Sequence, residues 1–156
     1  MFPGLPVHVA GVRGWAQAVA EAWGACAADM GLVVSELVTN ALVYTRSGLP
    51  GGIVIVAIAG GWDQVTVHVH DLGNAGGLVP RPAAGDGDGL AEGGRGLRIV
   101  AAVGAEWGMV PAAWCPVWGP ADPAAEAGGC CTWCRLACGP REREQGEKEG
   151  VVPCTP

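Results

Sequence analysis

Lysine is almost missing from this 156-residue chain. Lys148 is the single lysine, and lysine and arginine together number nine against fifteen acidic residues. The net charge is −6 and the pI is near 4.9. The sequence shows no cluster of basic residues that could bind a phosphate backbone. We therefore expect a protein that does not bind nucleic acid directly.

Long uninterrupted apolar runs are also scarce, because 27 glycines and 12 prolines break most of them. No run approaches the roughly 18 to 20 residues of a membrane-spanning helix. The N-terminal stretch MFPGLPVHVAGVRGW lacks the basic start and the continuous apolar core of a signal peptide. These absences predict a cytoplasmic protein with no membrane association. Half of the residues are hydrophobic, which is enough for the core of one domain.

The cysteine spacing of a complete zinc site is absent as well. Four of the seven cysteines crowd into residues 130–138, where Cys131 and Cys134 have the spacing of half a zinc site, but no second such pair occurs. The odd count argues against a disulfide framework. We expect buried or free thiols, with Cys130, Cys134 and Cys138 on one face of a strand. Metal binding is the alternative.

The segment 29–45, DMGLVVSELVTNALVYT, has the apolar repeat of a buried helix. A shorter helix is predicted before it, at residues 12–23. Glu36 and Asn40 lie four residues apart, beside the apolar face. They are either ordinary solvated residues at the edge of that face or side chains that point into a polar pocket. In such a pocket, Glu36 could act as a base and both could hold a hydrated Mg²⁺.

Two runs rich in β-branched residues follow the helix. Residues 53–59 and 64–71 are separated by a short turn that contains glycine, which predicts an antiparallel hairpin. His68 and His70 share one face of the second strand. A metal site is one interpretation of this pair. Because no third ligand is evident, a solvated sheet face is the preferred interpretation.

A glycine-rich segment separates the hairpin from the next helix. A loop of about twenty residues in a compact domain is usually a lid, a binding loop or disorder, and we predict a lid at 74–93. Residues 94–97 then open a helix, whose free N–H groups and positive dipole end make an anion site. A flexible loop that simply closes onto a helix would give the same pattern.

The remaining sequence predicts two more strands, at 107–110 and 132–137, with a Pro/Ala-rich insertion at 111–129 between them. From residue 139 the sequence is charged, has no hydrophobic period and ends in proline. It predicts a disordered tail at 139–156. The folded domain is thus expected at residues 1–138.

These segments carry chemistry that would be complementary around one pocket. Asp71, at the end of a buried strand, can accept a hydrogen bond from an exocyclic amine such as N6 of adenine, and Gly73 lets the ring approach the backbone. The helix N-terminus at 94–97 can receive phosphates. Asn40 can ligate a Mg²⁺ that bridges them, and Glu36 can orient or deprotonate a nucleophile.

This order of motifs resembles the nucleotide-binding domain shared by sensor histidine kinases, the Hsp90 chaperone, DNA gyrase B and MutL. Most of all it resembles the small anti-sigma-factor serine/threonine kinases of bacteria. SELVTNA resembles the N box, HDLG the first glycine box, GGRGLRIV the second, and TWCRL the closing strand. The resemblance covers about residues 12–136. It implies an α/β two-layer sandwich, with helices on one face of a mixed, mostly antiparallel sheet.

The resemblance also implies a role for each matching residue. Glu36 would be the catalytic base, and Asn40 would ligate Mg²⁺ and thereby help to bind ATP. The other implied ATP contacts are Asp71 for adenine, Gly73 beside the ring, Thr132 near that aspartate, and Gly94, Arg95, Gly96 and Leu97 for the lid hinge and the phosphates.

Three features depart from the family pattern. Tyr44 stands where many relatives have a histidine, Ala75 fills the place of a glycine in the first box, and the insertion at 111–129 replaces a tight turn. These departures affect the phosphate side of the pocket more than the adenine side. The phosphate contacts would have to come from Arg95 or Arg81, since no lysine is at hand.

Two functions follow from the resemblance. The first is an ATP-dependent serine/threonine kinase that binds a sigma factor and phosphorylates an anti-sigma-factor antagonist in transcription regulation. The alternative is a non-catalytic ATP-binding module that switches a partner through the order of its lid. A third reading is a family member that binds no nucleotide. Related small kinases commonly form homodimers.

Overall fold

The computed structural model describes residues 1–60, 63–73, 95–138 and 150–153; for Arg95 and 150–153 only the backbone is described. The helices of this part are α1 (Val9–Ala22), α2 (Ala27–Tyr44), α3 (Arg95–Val103) and the single turn α4 (Pro123–Glu126). The strands are β1 (Phe2–Pro3), β2 (Ile53–Gly60), β3 (Gln64–Asp71), β4 (Glu106–Pro111), β5 (Cys130–Ala137) and β6 (Gly150–Pro153). Short 3-10 helices lie at Pro6–His8, Arg46–Gly48, Ala112–Trp114 and Gly119–Ala121.

The strands form one sheet in the order β1-β2-β3-β5-β4, and β6 pairs with β2 on the same edge as β1. Every pairing among the described strands is antiparallel, so this part contains none of the parallel pairs that a mixed sheet would have. The predicted hairpin is β2 and β3. The predicted α/β sandwich is confirmed.

The main core lies between one face of the sheet and the helices. Alternate residues of β3, Val65, Val67 and Val69, point to this side and are almost fully buried. The apolar face of α2 packs on them, and α1 packs on α2. At its end, α1 stops at Gly24, whose φ of 72° suits a residue without a side chain.

Helix α2 is the one helix in the described ranges that is long and apolar enough to cross a membrane, with a mean hydropathy of 1.2. This differs from the expectation that no apolar run is that long. Seven of its residues are buried in the core. A core helix passes the same test of length and composition, and packing against the sheet accounts for the apolar character of α2.

The opposite face of the sheet is covered by the segment 111–129. This segment was predicted as an insertion, and it folds here into two 3-10 helices and α4. It buries His68 and His70, which are 5% and 0% exposed. The prediction of a solvated face for this histidine pair is therefore wrong, because residues far along the chain return to cover that face.

Residues 150–153 were predicted as part of a disordered tail, and the structure differs: they form β6. The outer edge of β2 is paired with β1 only at residues 53 and 54. Its remaining backbone groups can pair with another strand, and residues 57–60 pair with β6. The rest of the predicted tail and the predicted lid at 74–93 lie outside the described residues.

A pair of glycine substitutions tests the packing of Trp23, which follows α1, against the end of β2. A Cβ atom at Gly60 would lie 1.5 Å from Cζ3 of Trp23, so the indole ring has to move when this position carries a side chain. We expect Gly60→Ala to lower the free energy of unfolding by about 1–3 kcal/mol.

The matched control is Gly11→Ala in α1, where a Cβ atom would meet nothing within 4 Å. Helix propensity alone should raise its free energy of unfolding by about 0.5–1 kcal/mol. Urea unfolding measures both variants. Equal stability of Gly60→Ala and the wild type would contradict this packing.

Candidate functional site

Helix α2 carries Glu36 and Asn40 on the side that faces the start of α3. Both side chains are half-buried. A Cβ atom at Gly96, in the first turn of α3, would lie 2.6 Å from Oε2 of Glu36 and 3.4 Å from Nδ2 of Asn40. The two helices approach this closely because residue 96 has no side chain. Of the two readings of Glu36 and Asn40, this contact supports the polar pocket.

Strand β3 ends at Asp71, whose carboxylate is buried although the chain turns away directly after it. Asp71 is 6% exposed. Its Oδ1 accepts a hydrogen bond of 2.6 Å from the N–H of Gly73, which has a φ of 65°. Burial raises the pKa of the Asp71 carboxyl above its ordinary value. Backbone hydrogen bonds from Gly73 and Cys130, and the charge of His70, offset part of that increase in the pKa.

A cleft opens between these two groups of residues. Polar side chains of α2, β3 and β5 line it together with apolar ones; its lining residues are Leu37, Asn40, Ala41, Thr45, Val69, Asp71, Leu97, Met109 and Thr132. The cleft thus combines a few acceptor groups with apolar side chains, as a site for a heterocyclic ring requires.

The structure brings most of the predicted site residues together. Asn40, Asp71, Leu97 and Thr132 line the cleft, where Thr132 is 9% exposed. Three other predicted residues contact these lining residues. Glu36 and Gly96 lie beside Asn40, and the N–H of Gly73 is hydrogen-bonded to Asp71. The backbone of Arg95 begins α3. Gly94 lies outside the described residues.

Arg46 is a further residue of this site, which the sequence analysis did not single out. Its guanidinium donates to the carbonyl oxygens of Leu72 and Ala127, and its N–H donates to the oxygen of Gly73 at 2.8 Å. The neighbouring Ser47 accepts a hydrogen bond of 2.9 Å from the N–H of Leu72. These bonds fix the turn after Asp71. An arginine after a helix end is common. The local sequence does not predict its hydrogen-bond partners, because they lie 26 to 81 residues away.

The residues of the cleft fit a magnesium nucleotide. The buried carboxylate of Asp71 has an acceptor for an exocyclic amine. Asn40 and Glu36 offer the oxygen ligands that Mg²⁺ prefers. The N–H groups of a helix start bind anions, and the first turn of α3 lies beside Glu36 and Asn40.

The sequence matches one family model, described as the histidine kinase-like ATPase domain, over residues 2–106. The match covers 105 of the 156 residues and includes β1, α1, α2, β2, β3 and α3. Comparison with curated proteins and with solved structures gives no significant match.

Arg46 provides a test of how this site is held. Arg46→Ala leaves the carbonyl groups of Leu72 and Ala127 without their charged donor. We expect it to lower the free energy of unfolding by about 1.5–3 kcal/mol and to speed amide hydrogen exchange at Gly73. Arg13→Ala, at an exposed position of α1, is the control that should change neither. Unchanged exchange at Gly73 in Arg46→Ala would show that other contacts hold the turn.

Proposed function

Because the chain belongs to the histidine kinase-like ATPase domain family, whose domain binds ATP, we propose that it is a serine/threonine protein kinase of the anti-sigma-factor type. The observation that carries this proposal is the meeting of Glu36 and Gly96 with Asn40, which lines the same cleft as Asp71. A base candidate, an oxygen ligand and a helix start then surround the place where the phosphates of a nucleotide would lie.

The adenine end is the simpler part of the proposed mechanism. The Asp71 carboxylate accepts the hydrogen bond from the exocyclic amine of adenine, and the turn at Gly73 lies beside the ring. Thr132 and Leu97 line the same cleft. Because the carboxylate is withdrawn from water, this polar contact discriminates strongly against rings that lack the donor.

The phosphate end carries the chemistry. The N–H groups of the first turn of α3 bind phosphate oxygens. Asn40 supplies an oxygen ligand for Mg²⁺, which neutralises charge on the transferred group when it is bound. Glu36 accepts the proton of the attacking serine or threonine hydroxyl. The γ-phosphorus then bonds to that hydroxyl oxygen, and ADP leaves.

The partners in this proposal are a sigma factor, which the protein binds, and an anti-sigma-factor antagonist, which it phosphorylates. The proposed setting is the cytoplasm, with no direct contact with nucleic acid or membrane, in a monomer or a homodimer. The fifteen acidic residues against nine basic ones support a protein partner over a nucleic acid.

A second candidate is an ATP-binding module that switches a partner without phosphate transfer. The segment 111–129 favours this candidate. It follows β4 and is folded over the sheet. The bond between Ala127 and Arg46 connects it to the turn after Asp71. The segment lies beyond the part matched by the family model. ATP binding without transfer to any antagonist would favour this candidate.

The carboxylate of Asp71 gives the first test. We expect Asp71→Asn to weaken Mg²⁺-ATP binding by about 10- to 100-fold, because the ionised acceptor of one hydrogen bond is lost. The raised pKa of Asp71 adds a pH dependence: the carboxyl takes up its proton at a higher pH than an ordinary aspartate. The advantage of the wild type over Asp71→Asn should therefore shrink as the pH falls from 7.5 towards 5.

Isothermal titration calorimetry of both proteins across this pH range makes the measurement, and the ratio of the two affinities cancels the protonation of ATP itself. Equal affinity of both proteins at pH 7.5 would remove Asp71 from adenine recognition. A folded wild type that binds no ATP would exclude both candidate functions.

The role of Glu36 is tested separately. Glu36→Gln keeps the size of the side chain and removes the base, so phosphate transfer should fall by about 10²- to 10⁴-fold while ATP affinity stays near that of the wild type. The assay uses radiolabelled ATP with anti-sigma-factor antagonists encoded in the same genome. Glu21→Gln, exposed on α1, is the control. Transfer by Glu36→Gln at the wild-type rate would exclude Glu36 as the base.

A further inference from the structure

Four metal-ligating side chains converge on the face of the sheet opposite the cleft. They are His68 and His70 from β3, Cys131 from β5, and Cys115 from the segment 111–129. All four are at least 95% buried. One nitrogen or sulfur atom of each lies within 4.8 Å of the corresponding atoms of the other three. This cluster has no part in the proposed nucleotide chemistry.

The distances within the cluster match those of a tetrahedral site. With Zn–S near 2.3 Å and Zn–N near 2.0–2.1 Å, a nitrogen and a sulfur ligand lie about 3.6 Å apart. Sγ of Cys115 lies 3.5 Å from Nδ1 of His68 and 3.4 Å from Nε2 of His70, and Sγ of Cys131 lies 3.7 Å from Nδ1 of His68.

The two sulfur atoms are 3.2 Å apart. Two thiolates on one zinc ion lie about 3.8 Å apart. A small change in the side-chain torsions of Cys115 or Cys131 covers this difference. A disulfide would require a larger one, since its S–S distance is about 2.05 Å.

Asp122 holds His70 in the orientation that a metal ligand needs. Its buried Oδ2 accepts the hydrogen bond from Nδ1 of His70, which leaves the lone pair of Nε2 directed at the cluster. A histidine ligand commonly donates its other N–H to a carboxylate in this way. Oδ1 of Asp122 also accepts a hydrogen bond of 2.8 Å from the N–H of Ala124 and so caps α4.

Few apolar contacts hold the segment 111–129 on the sheet. Its buried side chains are small or polar: Ala112, Cys115, Asp122 and Ala124. Its two large aromatic residues point outward, with Trp114 76% and Trp118 36% exposed. Layers with so small an apolar core are usually stabilised by a disulfide or a metal ion.

We propose that His68, His70, Cys115 and Cys131 bind one zinc ion in a closed Cys₂His₂ site that fixes the segment 111–129 on the sheet. Two thiolates and two imidazoles in a tetrahedral arrangement suit Zn²⁺ among the divalent metals. Four protein ligands leave no position for water or substrate, so the site is structural. Each thiol releases its proton to solvent as the metal binds.

The test begins with the full-length protein, purified under reducing conditions. We expect one zinc ion per chain by elemental analysis. Co²⁺ exchanged into the site should give the visible absorption of tetrahedral Co²⁺ and a near-ultraviolet thiolate charge-transfer band. Removal of zinc with a chelator should lower the melting temperature, and re-addition of Zn²⁺ should restore it.

Variants identify the ligands. Cys115→Ser and Cys131→Ser should lose the bound zinc. Cys130→Ser and His8→Gln should each keep one zinc ion, because Cys130 faces away from Cys131 on the same strand and His8 lies in a 3-10 helix before α1. Asp122→Asn should keep one zinc ion and bind it about 10- to 100-fold more weakly.

Three outcomes would overturn the proposal. One is a folded, reduced wild type that takes up neither Zn²⁺ nor Co²⁺ stoichiometrically. Another is equal zinc affinity in Cys115→Ser and in the two control variants. The third is a disulfide between Cys115 and Cys131 in a protein that binds no zinc after reduction. Where a cysteine variant does not fold, the Co²⁺ spectrum and the chelator experiment on the wild type decide.

Discussion

The antiparallel pairing of β3 with β5 is the constraint on which both sides of this protein depend. Its register places Val69 opposite Thr132 and Asp71 opposite Cys130, and Val69, Asp71 and Thr132 line the cleft. His70, which lies between Val69 and Asp71 on β3, is opposite Cys131. Both side chains therefore point to the other face of the sheet. A single ladder of backbone hydrogen bonds therefore sets the geometry of the cleft and of the buried histidine and cysteine cluster.

Helices α1, α2 and α3 lie on the side with the cleft. Helix α2 supplies a polar edge with Glu36 and Asn40, and the missing side chain of Gly96 lets α3 reach that edge. Arg46 joins this side to the other one, because its guanidinium bonds the turn after β3 and the carbonyl of Ala127 in the covering segment. Three separate parts of the chain thus meet at the turn after Asp71.

Much of the fold could be predicted because its signals are local. Apolar residues that recur about every 3.6 positions predicted α2. Apolar residues at every second position predicted β3 with its correct first and last residues. The four motifs in their order predicted the family. Gly96 was named from its motif alone, and its contact with Glu36 became visible only when the helices were packed.

The errors concern contacts over long distances in sequence. His68 and His70 were interpreted as solvated because the residues that cover them, Cys115 and Asp122, lie 45 to 52 positions beyond the nearer of the two histidines. Composition marked 111–129 as an irregular insertion, and composition does not show which face such a segment covers. Cys131 was compared with its neighbour Cys134, whereas strand register pairs it with His70. Strand β6 was missed because its partner is a free edge of β2 rather than a local repeat.

The alternation of β3 also limits how this strand can vary between related sequences. Both faces of β3 are buried. Its valines pack against the helices, and its histidines lie beneath the segment 111–129. Deletion or insertion of one residue would exchange the two faces and place imidazoles in the helix core and valines among the thiols. Within β3, therefore, only substitutions that keep the character of each face are compatible with the fold.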